Sequence, residues 1–211
     1  AAVTDSMGRQ APEGLVGIHM NLLLAGLGGG YPSDNPTDEE RAALDAIKTF
    51  RTSGNGYLIE QNTRPQTIGY ALLDSPVALA AWMLDHDTDA YYKISRAFLD
   101  KQPSGGLTRD NVLDNITMYW LTRTGATAAR SYWENTQAAA RAVGQQRPNV
   151  NIPVGFTQFP GEIFGAPRSW VEKSYPNLTY YHQADKGGHF AAWEEPELFA
   201  TEIRAAFKSL R

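Results

Sequence analysis

Two short stretches carry the residues best suited to chemistry. One is Lys186-Gly187-Gly188-His189-Phe190, read within KGGHFAAWEEPE; the other is Phe159-Pro160-Gly161-Glu162, within FTQFPGEIF. Two glycines before a histidine permit a sharp turn and a close backbone approach. An imidazole on such a turn is placed to move protons at neutral pH. A carboxylate on a neighbouring turn would fix its tautomer and stabilise the imidazolium, leaving the other ring nitrogen as general base. From the residues alone, a Gly-Gly-His is more often an ordinary turn than a site.

The elements that must position them follow from periodicity. Ala2–Gln10 reads as the end of a helix, and Leu15–Asn21 as a short buried strand bounded by turn signals. Thr37-Asp38-Glu39-Glu40 has capping-box spacing and opens a helix with Leu44, Ile47 and Phe50 on one face. Ser75-Pro76 starts another, with Val77, Ala80, Ala81 and Leu84 at helical spacing. Thr108 opens a third, with Val112, Ile116, Tyr119 and Trp120 on one face, and a fourth spans about Ala126–Val143. Strand patterns return at Asn151–Thr157 and Leu178–His182. The final helix, Pro196 to about Leu210, is expected to bury Leu198, Ile203, Phe207 and Leu210. Glu194, Glu195 and Glu197 lie at its positive end and Lys208 and Arg211 at its negative end. The order predicts an α/β fold: a mostly parallel sheet flanked by helices, with an all-helical cap inserted between strands. Residues 1–30 and 149–211 are assigned to the core and 31–148 to the cap. Both candidate turns then fall at carboxyl ends of strands, where such sheets do their chemistry.

Bulk properties bound the function. With 211 residues, 42% hydrophobic and 20% charged, the chain is an ordinary globular sequence. A net charge of -4 gives no reason to expect nucleic acid as a partner. The absence of cysteine removes disulfides, thiolate metal sites and a thiol nucleophile, and fits a reducing compartment. No apolar run spans a bilayer and no secretory signal is read, so a cytoplasmic location is expected. Asp85-His86-Asp87-Thr88-Asp89 opens like a calcium loop, but Ala90 and Arg96 stand where glycine and glutamate are needed. Gly26–Gly30 lacks the Gly-Lys-Ser/Thr of a phosphate loop. His19 and His182, in strands, read as structural histidines; Tyr91, Tyr92, Tyr119 and Tyr181 read as packing or surface aromatics.

Together, TRPQTIGYALLDSPVALAAW, MYWLTRT, SYWEN, FTQFPGEIF with APRSW, and KGGHFAAWEEPELF resemble the microsomal-type epoxide hydrolases of the α/β-hydrolase fold, over nearly the whole chain and in the same order. The resemblance implies that His189 is the general base and Glu162 the acid that orients it. It also implies that Tyr132, in SYWEN, and Tyr57, in GYLIEQNTRP, donate hydrogen bonds to the epoxide oxygen. A phenol with a pKa of ~10 is protonated at neutral pH and suits that task. The expected reaction forms an aspartyl ester and hydrolyses it to a vicinal diol, with no metal and no organic cofactor. Its partners would be a small hydrophobic epoxide and water. A homodimer is compatible with the sequence, which leaves the oligomeric state open.

The family's nucleophile is an aspartate in a Gly-Gly-Asp-Trp-Gly context, which is absent. Asp5 lacks flanking glycines and reads as mid-helix. The chain is therefore expected to be the carboxyl-terminal portion of a longer enzyme and inactive alone. Two alternatives stay open: an esterase with an upstream serine, and a non-catalytic remnant.

Overall fold

The computed structural model describes residues 1–85, 106–144 and 148–210. The calcium-like segment after Asp85, with Tyr91 and Tyr92, lies outside the described residues. Two compact units emerge, one of residues 1–52 and 146–211, the other of residues 53–145.

The first unit is built on a parallel sheet in the order β1 (Ile18–Met20), β2 (Val154–Gln158) and β3 (Leu178–Gln183). In register, His19 faces Gly155 and Thr157 faces His182. An irregularity at Val154/Gly155 brings Tyr180 beside Gly155. Strand β1 is shorter than the expected Leu15–Asn21, and β2 begins after Pro153. The proline has no N–H to give, but its carbonyl accepts from Ile18 N at 3.0 Å.

Alternation along the strands divides the sheet into two faces. Ile18, Met20, Val154 and Phe156 enter a core with Ala43 and Ile47 of α3 (Asp38–Thr49) and Trp170 and Val171 of α9 (Arg168–Ser174). Trp170 is 2% exposed, and truncating it to alanine is expected to cost about 3–5 kcal/mol. His19, Gly155, Thr157, Tyr180 and His182 lie on the other face, toward α11 (Pro196–Ala206). There Gly155 is required, since a Cβ would come within 2.8 Å of Ala206 Cβ.

Helix α1 (Ala2–Gln10) contains Asp5 mid-helix, as expected. Asp5 is buried; Arg9 Nε and Nη2 donate to its two oxygens at 2.7 and 3.0 Å, and Tyr175 Oη donates at 3.0 Å. Those bonds give this carboxylate a structural role. Gly8 lets the helix approach the strand, because a Cβ would lie 2.7 Å from Ile18 Cδ1.

The expected stripe of α11 is corrected. Its most buried residues are Glu202 and Ala206, while Leu198, Ile203, Phe207 and Leu210 are half-buried. Hydrophobic spacing cannot report a buried carboxylate that is satisfied by hydrogen bonds from the sheet.

Within the described residues the second unit is helical, with α4 (Gly56–Thr63), α5 (Pro65–Asp74), α6 (Pro76–Leu84), α7 (Arg109–Thr122) and α8 (Gly125–Arg141). The Ser75 side chain caps α6, and Thr108 forms a capping box with Asn111 on α7. Gly69 and Gly125 allow close packing: a Cβ at Gly69 would lie 3.2 Å from Ala126 Cβ, and one at Gly125 would lie 3.0 Å from Leu72 Cβ. The stripe expected for α6 is also corrected. Leu79 is its buried residue and Val77 is 75% exposed. PVALAAWML is apolar all round, so no polar side marks which face turns outward.

Candidate active site

The two turns singled out in the sequence meet at the ends of β2 and β3. Gly161 bridges Gly188 in parallel fashion, with Gly161 N donating to Gly187 O at 2.9 Å. Gly187 has φ +96°, a left-handed conformation, and a Cβ there would lie 2.8 Å from Phe159 Cδ1. Glycine is therefore required on both conformational and steric grounds. Gln158, the last residue of β2, accepts from Ala166 N at 2.9 Å and so closes the loop that holds Glu162.

This backbone frame brings His189 Nδ1 to 2.5 Å from Glu162 Oε1. The Glu162 side chain is 3% exposed and that of His189 is 21% exposed. Ile163 N also donates to Oε1, at 2.9 Å, while Oε2 is buried without a hydrogen bond. A carboxylate on Nδ1 requires the proton there, which leaves the Nε2 lone pair as the basic site. The arrangement can take a proton from water and stabilise the imidazolium that results.

One acid in this region was misread from sequence. Glu194 is 2% exposed and accepts from Phe190 N at 3.0 Å, so it clasps the turn that carries His189. It lies in α10 (Ala191–Glu194), a short helix before α11. A carboxylate one turn beyond a helix start is the signal that could have found this contact. Glu195 pairs with Lys186 at 2.8 Å.

Tyr57 of α4 and Tyr132 of α8 meet in the second unit, ring centroids 6.3 Å apart and nearly perpendicular. Gly125, Ala129, Tyr132 and Thr136 share one face of α8 by helical spacing, and Thr136 Oγ1 donates to Asn62 Oδ1 of α4 at 2.8 Å. Burial pushes the Tyr132 phenol up, reinforced by Tyr119, while a hydrogen bond from Gln61 opposes the shift. Tyr132 therefore keeps its proton at neutral pH. Gln61, buried at 5% exposure, was missed in the sequence because a glutamine on an amphipathic helix reads as outward-facing. The four residues thus form two pairs, His189 with Glu162 and Tyr57 with Tyr132, each within its own unit.

Among the described residues no group of three His, Asp or Glu side chains is arranged to hold a metal ion. No helix among them is long and apolar enough to cross a membrane.

No protein-family model matches the chain. It is 43% identical over 217 aligned residues to a putative epoxide hydrolase of Stigmatella aurantiaca (strain DW4/3-1), covering 100% of this chain and 45% of that protein. The chain belongs to the epoxide hydrolase family. Epoxide hydrolase 1 of Sus scrofa is 41% identical, over 96% of this chain and 47% of the relative. Among solved structures, the Aspergillus niger epoxide hydrolase matches with a TM-score of 0.74 at 27% identity, over 100% of this chain and 50% of that one. The juvenile hormone epoxide hydrolase of Bombyx mori matches with a TM-score of 0.75 at 26% identity, over 99% and 52%. The fold of the chain is accordingly the α/β-hydrolase fold. The chain spans about half the length of the curated relatives it matches.

Proposed function

We propose that this chain supplies the water-activating pair and the oxygen-stabilising phenols of an enzyme that opens a small hydrophobic epoxide to a vicinal diol. In this reading an aspartate in a segment ahead of Ala1 attacks an epoxide carbon. The ring C–O bond breaks with its electron pair going to oxygen, which accepts hydrogen bonds from Tyr57 and Tyr132 as charge develops. The result is an ester on the aspartate.

His189 Nε2 then takes a proton from water, and the hydroxide adds to the ester carbonyl. The bond to the glycol oxygen breaks and the imidazolium returns the proton to that oxygen; the proton left on the aspartic acid passes to the alkoxide formed at ring opening, which restores the carboxylate and completes the second hydroxyl of the diol. Glu162 stabilises the imidazolium throughout, and the helical segment carrying the two tyrosines serves as the cap. The observation that carries the reading is the 2.5 Å contact between His189 Nδ1 and the buried Glu162 Oε1, beside relatives named as epoxide hydrolases.

The test is single turnover in the full-length protein. His189→Ala is expected to accumulate a covalent ester, seen as a protein mass increased by that of the epoxide, with diol release abolished. Normal turnover by that variant would overturn the reading. Residues 1–211 alone are expected to form no diol.

A further inference from the structure

The polar contacts around Glu202 lie outside the site described above. Glu202 is 4% exposed, in the middle of α11. Its Oε2 accepts from Thr157 Oγ1 of β2 at 3.1 Å, Tyr180 Oη of β3 at 2.9 Å and His182 Nδ1 of β3 at 3.0 Å. Thr157 has one hydroxyl proton and gives it to Glu202. Its contact with His19 Nε2 of β1 at 2.9 Å therefore has the imidazole N–H as donor. One carboxylate oxygen thus ties α11 to all three strands, two of them directly and β1 through Thr157. The Thr157–His19 pairing resembles a nucleophile with its base, but Thr157 is 0% exposed and no substrate reaches it.

The tied elements are those that carry the proposed water-activating pair. Strand β2 runs into the Glu162 turn, β3 runs into the His189 turn, and the chain continues from His189 through α10 into α11. Thr157 and His182 are also register partners, so the clasp sits one residue before the last register pair of the two strands, Gln158 with Gln183. Beyond it, the loops are joined by the Gly161–Gly188 bridge.

We propose that Glu202 is a positioning residue, which seats α11 on the sheet and thereby sets the contact between Glu162 and His189. This rests on the water-activating role given to that pair above. Loss of the clasp lets the two turns move apart, and catalysis is sensitive to displacements of about an ångström. Ring opening does not use the His189–Glu162 contact and is left unchanged.

Single turnover of the full-length enzyme separates the two steps. Glu202→Ala is expected to slow ester hydrolysis roughly tenfold or more, while ester formation stays within about twofold. Glu202→Gln keeps an acceptor oxygen in place and is expected to recover most of the hydrolysis rate. Thr157→Val, nearly isosteric, breaks the link to β2 and should slow hydrolysis in the same direction even where Glu202→Ala fails to fold. Unchanged hydrolysis, equal slowing of both steps, or a Gln variant as impaired as Ala would each overturn the proposal. His189→Ala is run alongside: if it traps the ester while the Glu202 and Thr157 variants behave as wild type, only the positioning role fails. If His189→Ala leaves hydrolysis intact, the reading beneath it fails.

Discussion

His189 Nδ1 and Glu162 Oε1 are 2.5 Å apart at the ends of adjacent parallel strands, with the carboxylate nearly sealed from solvent. In such a setting the acid's orienting effect and its charge both bear on the imidazole. Glu162→Gln keeps the shape but loses the charge, and its amide can present a donor to Nδ1, which favours the wrong tautomer. Ester hydrolysis is expected to fall by about 10²–10⁴-fold, with ester formation little changed. Rapid-mixing kinetics resolves the two steps. A Gln variant with wild-type hydrolysis would remove Glu162 from the mechanism.

The tyrosine pair predicts the opposite pattern. Tyr57 and Tyr132 touch edge to face, and burial keeps the Tyr132 proton in place. Tyr132→Phe removes one donor to the developing alkoxide and should slow ester formation by roughly 10²–10³-fold. Hydrolysis of ester already formed should be spared. Tyr57→Phe should act in the same direction, and the double variant should be slower than either single one. If Tyr132→Phe slows only hydrolysis, the phenol has been given the wrong step.

How much of this was legible in the sequence depended on the kind of force involved. Helix starts set by local side-chain to backbone bonds were readable: Thr37, Ser75 and Thr108 cap α3, α6 and α7 where their spacing indicates. The strands were readable in place, though β1 proved shorter, because pairing with β2 and not apolar content sets its length. Long-range polar contacts were not readable. Glu202 sits on the buried face of α11 because Thr157, Tyr180 and His182 satisfy it from the sheet. Glu194 looked like a dipole partner of the last helix and instead holds Phe190 N. On α6 the uniformly apolar sequence hid the inward face, which is marked by Leu79 packing beside Gly125.

Gly187 provides a test of the frame. Its φ of +96° and the 2.8 Å approach to Phe159 oppose any side chain. Gly187→Ala combines backbone strain with a clash, and is expected to cost at least about 1–2 kcal/mol of stability. It should also disturb the bridge through which Gly161 N meets Gly187 O, and so weaken ester hydrolysis. Urea denaturation measures the first effect and single turnover the second. An alanine variant with unaltered stability would show that the turn adopts another conformation in solution.

His19 gives the stability a pH dependence with a definite sign. Burial against the sheet and α11 lowers its pKa to about 4, and the nearby Glu202 carboxylate only partly opposes this. In the unfolded chain the same imidazole titrates near 6.5. Between about pH 6.5 and pH 4 the unfolded state therefore holds a proton that the folded state does not. Stability from this group is complete above about pH 6.5 and is lost as pH falls, by on the order of 3 kcal/mol by pH 4. His19→Gln cannot titrate but can still offer an N–H to Thr157 Oγ1. Wild type and variant should thus have converging or crossing stability curves, the wild type falling more steeply between pH 6.5 and 4. Denaturant unfolding at half-unit pH steps measures both curves. Parallel curves would show that His19 is not the group that loses its proton on folding.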